Sequence, residues 1–575
     1  MSSNNVTFVT SILQIYDKPY DEKTIEWRFD KFREIAELGI YICIYVDEET
    51  YPICVKFAQQ YENIKIVNIY NLKNTILAKQ CAELEYTMPE NRSPEKDTME
   101  YMLLMNCKFE FLSDAAEKNL WNTHYFAWID FSIAYILRKT IISVELLRVL
   151  SKRTFINTPF LTIPGCFEKD AFFNDNTSKY SNDDKIQYIL NNIYWRFCGG
   201  FILGDASSII DTFNKYKKHF AEFIGLYGKM VWEVNFWTWL EMKTDWSPIW
   251  YKADHDDSIF KMPVHLYSAN LDQDHELVKT KYDYAVIENY EPMQCSHVEF
   301  EGRHIINTRY VNYRCLDNGN LYAADGNSFL NTRNIVSVLD NDLKPIYYNE
   351  MREKETIGLI SNDTASCMGL EDIRLYAHNG VLKFIATNIN YSPTGGNHMI
   401  VGEYDVDNKT YNNSVIVLSP YDNWCEKNWI PIVLDGEKLF IYKWWPMEIG
   451  KINYETKKLE IVKTFDIKSP NFENVRGSTT FSHDVTNDCL IGLVHFSEET
   501  SPRRYYHMLV TLDKATLKPI KYSNVFVFQH LGIEFCTGMK ISDDGSNFLF
   551  WISKWDREPL MVTVHRDNIP LLFDF

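Results

Sequence analysis

The sequence is short of three features, and each shortage excludes a class of protein. It contains no long uninterrupted hydrophobic run, and charged side chains break its most apolar stretch, residues 127–150, which excludes a membrane-spanning helix. Its twelve cysteines are scattered without CxxC pairs, which favours reduced, buried thiols over a disulfide framework or a zinc site. Basic residues are also outnumbered, and the net charge of -19 makes a nucleic-acid partner unfavourable.

The N-terminus lacks the basic region and small-residue cleavage site of a secretory signal, so the cytoplasm is the expected location. Asn, Ile, Lys and Tyr are frequent, as in AT-rich genomes such as those of large DNA viruses, for which the location would be the host cytoplasm. Hydrophobic residues make up 46% of the chain, which predicts a folded, soluble protein. A length of 575 residues exceeds what one core supports, so we expect at least two domains.

The first half alternates strand-like and helix-like segments up to about residue 260, as is typical of an α/β layered fold. The predicted strands include "NVTFVTSIL", "IYICIYVDE" and "HYFAWIDFS". One helix is predicted before the third strand, where Ser93 can cap and Pro94 suits the first turn. Its apolar stripe is formed by Met99, Met102, Met105, Phe109 and Leu112. Two of the strands end in an acid, Asp47 and Asp130.

Asp130 stands between apolar and aromatic residues, where an unpaired carboxylate would cost several kcal/mol. In an open α/β sheet, ligands bind beyond the carboxyl ends of the strands, and a strand-end acid reaches that edge. A carboxylate there suits a hard divalent cation, Mn²⁺ or Mg²⁺, that bridges to a diphosphate. Capping of the following helix explains the same residue, so both interpretations remain open.

Beyond about residue 285, short aromatic-rich strands are separated by polar turns. A turn followed by an apolar strand recurs five times at intervals of about fifty to sixty residues, close to the period of a four-stranded propeller blade. The turns are Asn318-Gly319, Asn379-Gly380, Asp435-Gly436, Asn487-Asp488 and Asp544-Gly545. The pattern predicts a five-bladed β-propeller over residues 285–575, after an α/β domain over 1–265 and a connector over 266–284.

Residues 7 to about 140 resemble the HtrL/YibB (WlaTC) family of glycosyltransferases, which is related to the GT-A fold. The resemblance is carried by "TFVTSILQIYDK", "YICIYVDEE", the helix with Lys108 and "YFAWIDFSIAY". It implies a nucleotide-sugar donor, a divalent cation bound by Asp130, and a glycan or glycoprotein acceptor. The residues assigned to the donor and its metal are Thr10, Asp47, Lys108 and Asp130. The second acid of a DxD motif is absent, since Phe131 and Ser132 follow.

The segment "YWRFCGGFILGDASS" is similar to the GT-A strand and glycine turn that receives the acceptor, with Gly199 and Gly200 allowing close approach of the backbone. Cys198 beside them is predicted to be a buried thiol. Glu233, between aromatic residues, is predicted to act as general base toward a sugar hydroxyl, and a helix-surface role explains it equally well. His255 in "WYKADHDDSIF" is a second candidate metal ligand, although a polar turn accounts for the same letters.

In the second half, "GLEDIRLY" resembles the E-D-P-R segment of five-bladed mannoside phosphorylases and related glycosidase-like propellers, with Ile373 in place of proline. This resemblance implies that Asp372 is the catalytic acid. A hydrolase needs a second carboxylate, for which Glu534 is the candidate, whereas a phosphorylase uses phosphate. Polar residues that lead the repeats are expected to bind sugar in the central channel, or else to cap blade edges by salt bridges. They are Arg309, Asn312, Glu371, Arg374, Arg476, His495 and His507.

The leading hypothesis is a sugar-transfer enzyme in which the first domain uses a nucleotide sugar and a divalent cation and the propeller binds or processes the glycan. A first alternative makes the propeller the only enzyme, a glycoside hydrolase or phosphorylase behind a degenerate transferase domain. A second alternative is a glycan-binding protein without catalysis, since aromatic residues, 15% of the chain, suffice to stack on sugars.

Overall fold

The computed structural model describes residues 4–16, 23–155, 159–171, 181–323, 330–353, 367–392, 395–434 and 436–575. The chain divides into two compact units, Met1–Tyr267 and Ser268–Phe575. Within the described ranges, no helix is both long enough and apolar enough to cross a membrane.

The first unit is built on one seven-stranded sheet. Its strands are β1 (Val6–Ile12), β2 (Tyr41–Asp47), β3 (Ile64–Tyr70), β4 (Tyr125–Ile129), β5 (Leu161–Gly165), β6 (Phe201–Asp205) and β7 (Ile249–Lys252). Its α-helices are α1 (Ile25–Ala36), α2 (Tyr51–Ala58), α3 (Ile76–Cys81), α4 (Met99–Asn106), α5 (Lys108–Lys118), α6 (Thr140–Leu150), α7 (Asn182–Ile189), α8 (Ala206–Tyr227) and α9 (Glu233–Lys243). The strand order is β3-β2-β1-β4-β6-β5-β7, and β6 runs antiparallel to both of its neighbours.

Both faces of this sheet are buried, which explains why its strands read as nearly continuous apolar runs. Alternate side chains such as Phe8 and Ile44 pack with α1, α2 and α6, and the intervening ones such as Val9 and Tyr45 pack with α4, α5, α8 and α9. Because β6 is antiparallel, its first residues lie at the same sheet edge as the last residues of β4, β5 and β7. That edge carries the candidate site.

The helix predicted to begin at Ser93 begins later and is divided. Thr98 caps α4, its hydroxyl accepting a hydrogen bond of 3.2 Å from the N–H of Tyr101. The helix ends at Asn106, Cys107 forms the junction, and Lys108 opens α5. The apolar stripe that suggested one long helix therefore belongs to two helices, with Lys108 at the start of the second.

The second unit is almost entirely β-structure. Residues 266–284, where the sequence predicts a connector, contain β8 (Ala269–Asn270), α10 (Leu271–His275) and β9 (Val278–Thr280). The next sheet contains β10 (Glu291–Phe300), β11 (Arg303–Val311), β14 (Leu330–Leu339), β15 (Pro345–Glu350) and β17 (Cys367–Met368), and β12 (Tyr313–Cys315) and β13 (Leu321–Ala323) form a separate hairpin. A further sheet contains β16 (Arg352–Glu353), β18 (Glu371–His378), β19 (Val381–Asn388), β20 (His398–Asp405) and β21 (Thr410–Val417).

The remaining strands form three more sheets, antiparallel except where β31 (Phe526–Val527) pairs with β8. One contains β22 (Ile430–Leu434), β23 (Glu437–Trp444), β24 (Met447–Asn453) and β25 (Lys458–Phe465). Another contains β26 (Arg476–Gly477), β27 (Ser482–Asp484), β28 (Cys489–Glu498), β29 (Arg504–Asp513), β30 (Pro519–Tyr522) and β31 (Phe526–Val527), with β35 (Phe573–Asp574) and β8 at its edges. The last contains β32 (Glu534–Ile541), β33 (Asn547–Lys554), β34 (Glu558–His565) and β9.

Strands of different sheets contact one another: β10 touches β18 and β32, β18 touches β22, and β27 touches β32. This contact pattern confirms the predicted propeller-like arrangement. Within the described residues this arrangement has four blades, and not the five predicted from the repeats. The last sheet has only three consecutive strands and is completed by β9 from the start of the unit.

Three of the predicted turns join strands of the sheets, and one belongs to a different hairpin. The turns that begin at Asn379 and Asp544 join the first two strands of their sheets, and Asn487-Asp488 joins β27 to β28. In the turn before β23, Asp435 lies outside the described residues. Asn318-Gly319 instead closes the small β12–β13 hairpin, and Gly302, at φ +71°, follows β10. The first repeat was therefore assigned to the wrong hairpin.

Candidate functional site

A single lysine joins two carboxylates that the sequence singles out in the first unit. Lys108 Nζ lies 3.0 Å from Asp130 Oδ1 and 3.0 Å from Glu233 Oε1, and it donates a hydrogen bond of 2.7 Å to the carbonyl of Gly199. Lys108 opens α5, Asp130 follows β4, and Glu233 opens α9. Three separate segments thus meet at one ammonium group. We call Lys108, Asp130 and Glu233 the charged triad.

The ion pairs keep the buried lysine charged. Burial lowers the pKa of Lys108, but Asp130 and Glu233 raise it by more, so the net pKa lies above the ordinary value. The indole N–H of Trp128 donates a further hydrogen bond of 2.8 Å to Asp130 Oδ1. Asp130 is therefore both ion-paired and at a strand end, where its side chain stays 42% exposed.

Two glycines make room for this arrangement. A Cβ at Gly199 would lie 2.2 Å from Glu233 Oε1 and 3.1 Å from Lys108 Nζ. A Cβ at Gly200 would lie 2.9 Å from the side chain of Ile133. The glycine turn, predicted to let substrate approach the backbone, lets the charged triad approach it.

The charged triad lines a cavity of about 490 Å³. The predicted residues in its wall are Lys108, Asp130, Gly199, Gly200, Glu233 and His255. Three further cations, Lys23, Arg28 and Lys96, also line the cavity. No sequence pattern marks these three, because they come from separate segments that only the fold brings together. With Lys108 they outnumber the acids of the same wall, Asp97, Asp130 and Glu233, and so favour an anionic ligand in a protein whose net charge is strongly negative.

Two residues predicted to hold the donor lie outside this cavity wall. Asp47 accepts hydrogen bonds from the N–H and hydroxyl of Thr50 (2.9 and 2.7 Å) and from the N–H of Gln14 (2.8 Å). It caps the turn before α2 and anchors the segment after β1. Thr10 is fully buried in β1, and its hydroxyl finds no hydrogen-bond partner among the described residues.

The donor set at Asp130 fits a hard cation held mostly by a substrate. Lys108 and Trp128 both occupy Oδ1, and Oδ2 has no hydrogen bond within the described ranges. The buried hydroxyl of Ser132, two residues away in the same cavity wall, also has no partner in that part of the chain. One carboxylate oxygen and one hydroxyl leave most positions to water and phosphate, as Mn²⁺ or Mg²⁺ requires. His255 instead lies in a cluster with Cys166 and Cys198.

In the second unit, Arg309 forms ion pairs with two carboxylates of a neighbouring sheet. Its Nη1 lies 2.7 Å from Asp372 Oδ1, and its Nη2 lies 3.4 Å from Glu371 Oε2. Gln294 also donates to Asp372 Oδ1, at 2.9 Å. Arg309 lies on β11, the second strand of its sheet, and not on an innermost strand as the repeats predicted. Its long side chain nevertheless reaches the predicted residues on β18.

Asp556, which the repeat pattern does not mark, interacts electrostatically with Arg309 and Asp372 of this cluster. Burial raises the pKa of Asp556 to about 6; Arg309 lowers it and Asp372 raises it. Burial also raises the pKa of Asp372, but Arg309, Lys427 and Arg374 outweigh burial, and the net pKa lies below the ordinary value. Asp556 therefore keeps its proton up to a higher pH than Asp372, and the two carboxylates favour opposite protonation states only below about pH 6.

Backbone strain accompanies both carboxylates. Asp372 has φ +53°, and Trp555 and Asp556 have φ +54° and +49° in the turn between β33 and β34. The left-handed region is costly for a bulky residue such as tryptophan and is common at functional sites. This turn, "KWDRE", is the one sequence signal that could have indicated Asp556.

Glu534 is separate from this cluster. It is completely buried, and its two oxygens accept hydrogen bonds from the N–H groups of Phe528 (2.6 Å) and Gln529 (3.0 Å). His507 Nε2 lies 4.0 Å away, and burial lowers the pKa of His507 to about 3. Glu534 thus holds the backbone of this segment, and its role as the second carboxylate stays a prediction.

Glu534 makes a pH-dependent contribution to stability that can be measured. Burial raises its pKa from 4.5 to about 7, although the N–H groups of Phe528 and Gln529 lower it. The folded state therefore binds this proton more tightly than the unfolded chain, and the free energy of unfolding falls by up to about 3 kcal/mol as pH rises from about 4.5 to 7. Glu534→Gln should remove that fall in urea denaturation at pH 5 and pH 8. Equal pH dependence in the variant and the wild type would contradict it, and exposed Glu288→Gln is the control.

The remaining predicted residues of the second unit support the fold around the cluster. Arg374 is 1% exposed and donates to the carbonyl of Ser478 at 2.6 Å, and His495 Nδ1 lies 2.8 Å from the hydroxyl of the same serine. Asn312 accepts a backbone hydrogen bond of 2.6 Å. Arg476 is exposed on β26. Of the predicted sugar contacts, Arg309 and Glu371 thus lie with the Asp372 side chain, and Arg374 donates a hydrogen bond of 3.2 Å to the Asp372 carbonyl.

No protein-family model matches the sequence, and no curated protein matches it. Among solved structures, a mannose phosphorylase from Leishmania mexicana is similar at 13% identity and a TM-score of 0.33, over 52% of this chain and 92% of that chain. A GDP-Man-dependent mannosyltransferase from the same organism is similar at 11% identity and 0.34, over 52% and 95%. A beta-xylosidase/alpha-arabinofuranosidase from a compost metagenome is similar at 10% and 0.35, over 51% and 97%. At these scores the likenesses alone carry no argument about activity.

Proposed function

We propose that this protein is a glycosyltransferase whose first unit moves a sugar from a nucleotide-sugar donor to a glycan acceptor. The observation that carries the proposal is the charged triad, held at the carboxyl edge of an open sheet in a cavity lined by further cations. Ligands of α/β sheets bind at this edge. The resemblance of the "WID" segment to a glycosyltransferase family supports the same function.

Each side chain has a role in this proposal. Lys23, Arg28 and Lys96 attract the diphosphate of the donor, and Lys108 holds Asp130 in place. A divalent cation, bound by Asp130 and the diphosphate, would stabilise the leaving group as a Lewis acid. Glu233 keeps Oε1 on Lys108 and offers its other oxygen to the acceptor hydroxyl as general base.

Release of nucleotide diphosphate tests the proposal. With Mn²⁺ and a panel of nucleotide sugars, the wild type should release a nucleotide diphosphate, and Asp130→Asn should lower the rate by about 10²- to 10³-fold, because it removes the carboxylate charge that holds the cation. Asp211→Asn is the matched control, since Asp211 pairs with Lys215 on the surface of α8. Equal rates for Asp130→Asn and the control, or absence of donor binding in the wild type, would contradict the proposal.

Glu371, Asp372 and Asp556 surround Arg309 in the second unit, and we call these three residues the acidic cluster. The acidic cluster favours a second candidate function, glycoside hydrolysis or phosphorolysis. Paired carboxylates whose surroundings push their pKa values apart are typical of an acid and a base acting on one bond. At pH values between the lowered pKa of Asp372 and the Asp556 pKa of about 6, Asp556 is protonated and Asp372 is ionised. The acid role that the resemblance gave to Asp372 therefore suits Asp556 better. Release of sugar or sugar phosphate that depends on Asp372 would assign turnover to the second unit.

A further inference from the structure

Two thiols and an imidazole converge at the end of the sheet in the first unit. The ligand atoms of Cys166, Cys198 and His255 all lie within 4.8 Å of one another. Cys166 follows β5, Cys198 precedes β6, and His255 follows β7. They are far apart in sequence, so the scattered cysteines did not suggest a shared site.

Backbone hydrogen bonds fix the three segments. The N–H of Cys166 donates to the carbonyl of Trp195 at 2.9 Å, and the N–H of Cys198 donates to the carbonyl of Pro164 at 2.7 Å. The N–H of Ala253 donates to the carbonyl of Gly165 at 2.9 Å. The ligand positions are therefore set by the sheet and its extensions, and not by a loose loop.

The sulfur separation matches a metal better than a disulfide. Cys166 Sγ and Cys198 Sγ lie 3.7 Å apart. Two thiolates on a tetrahedral zinc ion, each with a Zn–S bond of about 2.3 Å, are separated by about 3.8 Å. A disulfide bond would need a separation of about 2.05 Å.

The surroundings also suit a soft divalent cation. Asp254 Oδ1 lies 3.4 Å from His255 Nδ1 and 3.8 Å from Cys166 Sγ. A carboxylate beside a ring nitrogen is the contact that orients metal-binding imidazoles.

We propose that Cys166, Cys198 and His255 bind one Zn²⁺ ion, with Asp254 or water as the fourth ligand. Thiolate and imidazole select zinc over the hard Mn²⁺ and Mg²⁺ expected at Asp130. The two sites are therefore chemically distinct, although His255 and Asp130 line the same cavity. The zinc site does not depend on the glycosyltransferase proposal.

Metal binding tests this site without any enzyme assay. The reduced full-length protein, freed of metal with a chelator and titrated with Zn²⁺, should bind about one ion per chain and release protons from its thiols. Co²⁺ titrated in place of Zn²⁺ should give the absorption bands of tetrahedral cobalt with thiolate ligands. Cys198→Ser should abolish both signals, and Cys54→Ser, which changes a buried cysteine of α2, should leave them intact.

A second variant distinguishes loss of the metal site from misfolding of the protein. His255 is exposed, so His255→Ala should keep the fold, as monitored by circular dichroism, and should weaken Zn²⁺ binding by at least about tenfold. Failure of the reduced wild type to bind Zn²⁺ or Co²⁺ would overturn the proposal. So would zinc content unchanged in both variants. A Cys166–Cys198 disulfide in the purified protein, with no metal binding after reduction, would also overturn it.

Discussion

Replacing Lys108 by methionine is expected to abolish sugar transfer and to destabilise the first unit. Lys108 is 1% exposed and neutralises Glu233, which is 8% exposed. Methionine fills similar space but leaves this carboxylate without its cation. Breaking a buried ion pair by removing one partner costs about 3 to 5 kcal/mol. Asp130 and Glu233 would then repel each other, and the geometry that places both at the cavity would be lost.

The comparison with Lys118→Met isolates this effect. Lys118 lies at the other end of the same helix and pairs with Asp114 on the surface, where an ion pair contributes little. Urea denaturation should show a large loss of stability for Lys108→Met and a small one for Lys118→Met. Transfer activity should fall by more than about 10²-fold only in the first variant. Similar stability and activity in the two variants would show that the charged triad is not a functional unit.

The sequence indicated which residues of the first unit matter but not how they are paired. Asp130 was marked because a carboxylate in an apolar strand needs an explanation, and the strand-end position followed from the apolar run before it. The partner could not be read in the same way. Lys108 lies on a helix that the periodicity merged with α4, and its orientation toward Asp130 depends on the break at Cys107.

In the second unit, the recurring turns predict the propeller-like arrangement more reliably than they predict the candidate site. Turns before apolar strands recur because each sheet reuses the same hairpin, so the propeller-like arrangement was predictable. The first of these turns belongs to β12 and β13, and β9 completes the last sheet, because closure joins strands from opposite ends of the unit. The repeat pattern does not mark Asp556, because this residue lies in a turn and not at a position that recurs in every sheet.

The cysteines show the same limit in another form. Spacing rules recognise metal sites whose ligands are close in sequence, as in CxxC pairs. Cys166, Cys198 and His255 come from three strand ends that are brought together by an antiparallel strand within an otherwise parallel sheet. Only the topology of that sheet places them side by side.

If the acidic cluster of the second unit is catalytic, release of sugar or sugar phosphate from oligosaccharides should depend on two carboxylates in different ways. Asp372→Asn removes the ionised group and should lower kcat/KM by about 10²- to 10⁴-fold at every pH. For the wild type, kcat/KM should fall about tenfold per pH unit above the Asp556 pKa of about 6, because the acid must be protonated to act.

The shape of the pH profile separates this role from a structural one. Asp556→Asn cannot donate its proton, so its low residual activity should lose the decline above pH 6 that the wild type shows. Asp543→Asn alters an exposed carboxylate of the same unit and should leave rate and profile unchanged. If Asp556→Asn keeps the wild-type decline, another group titrates. If neither variant changes sugar release, or if the wild type releases none, the acidic cluster is not catalytic, and Arg309 holds its carboxylates for the stability of the sheets.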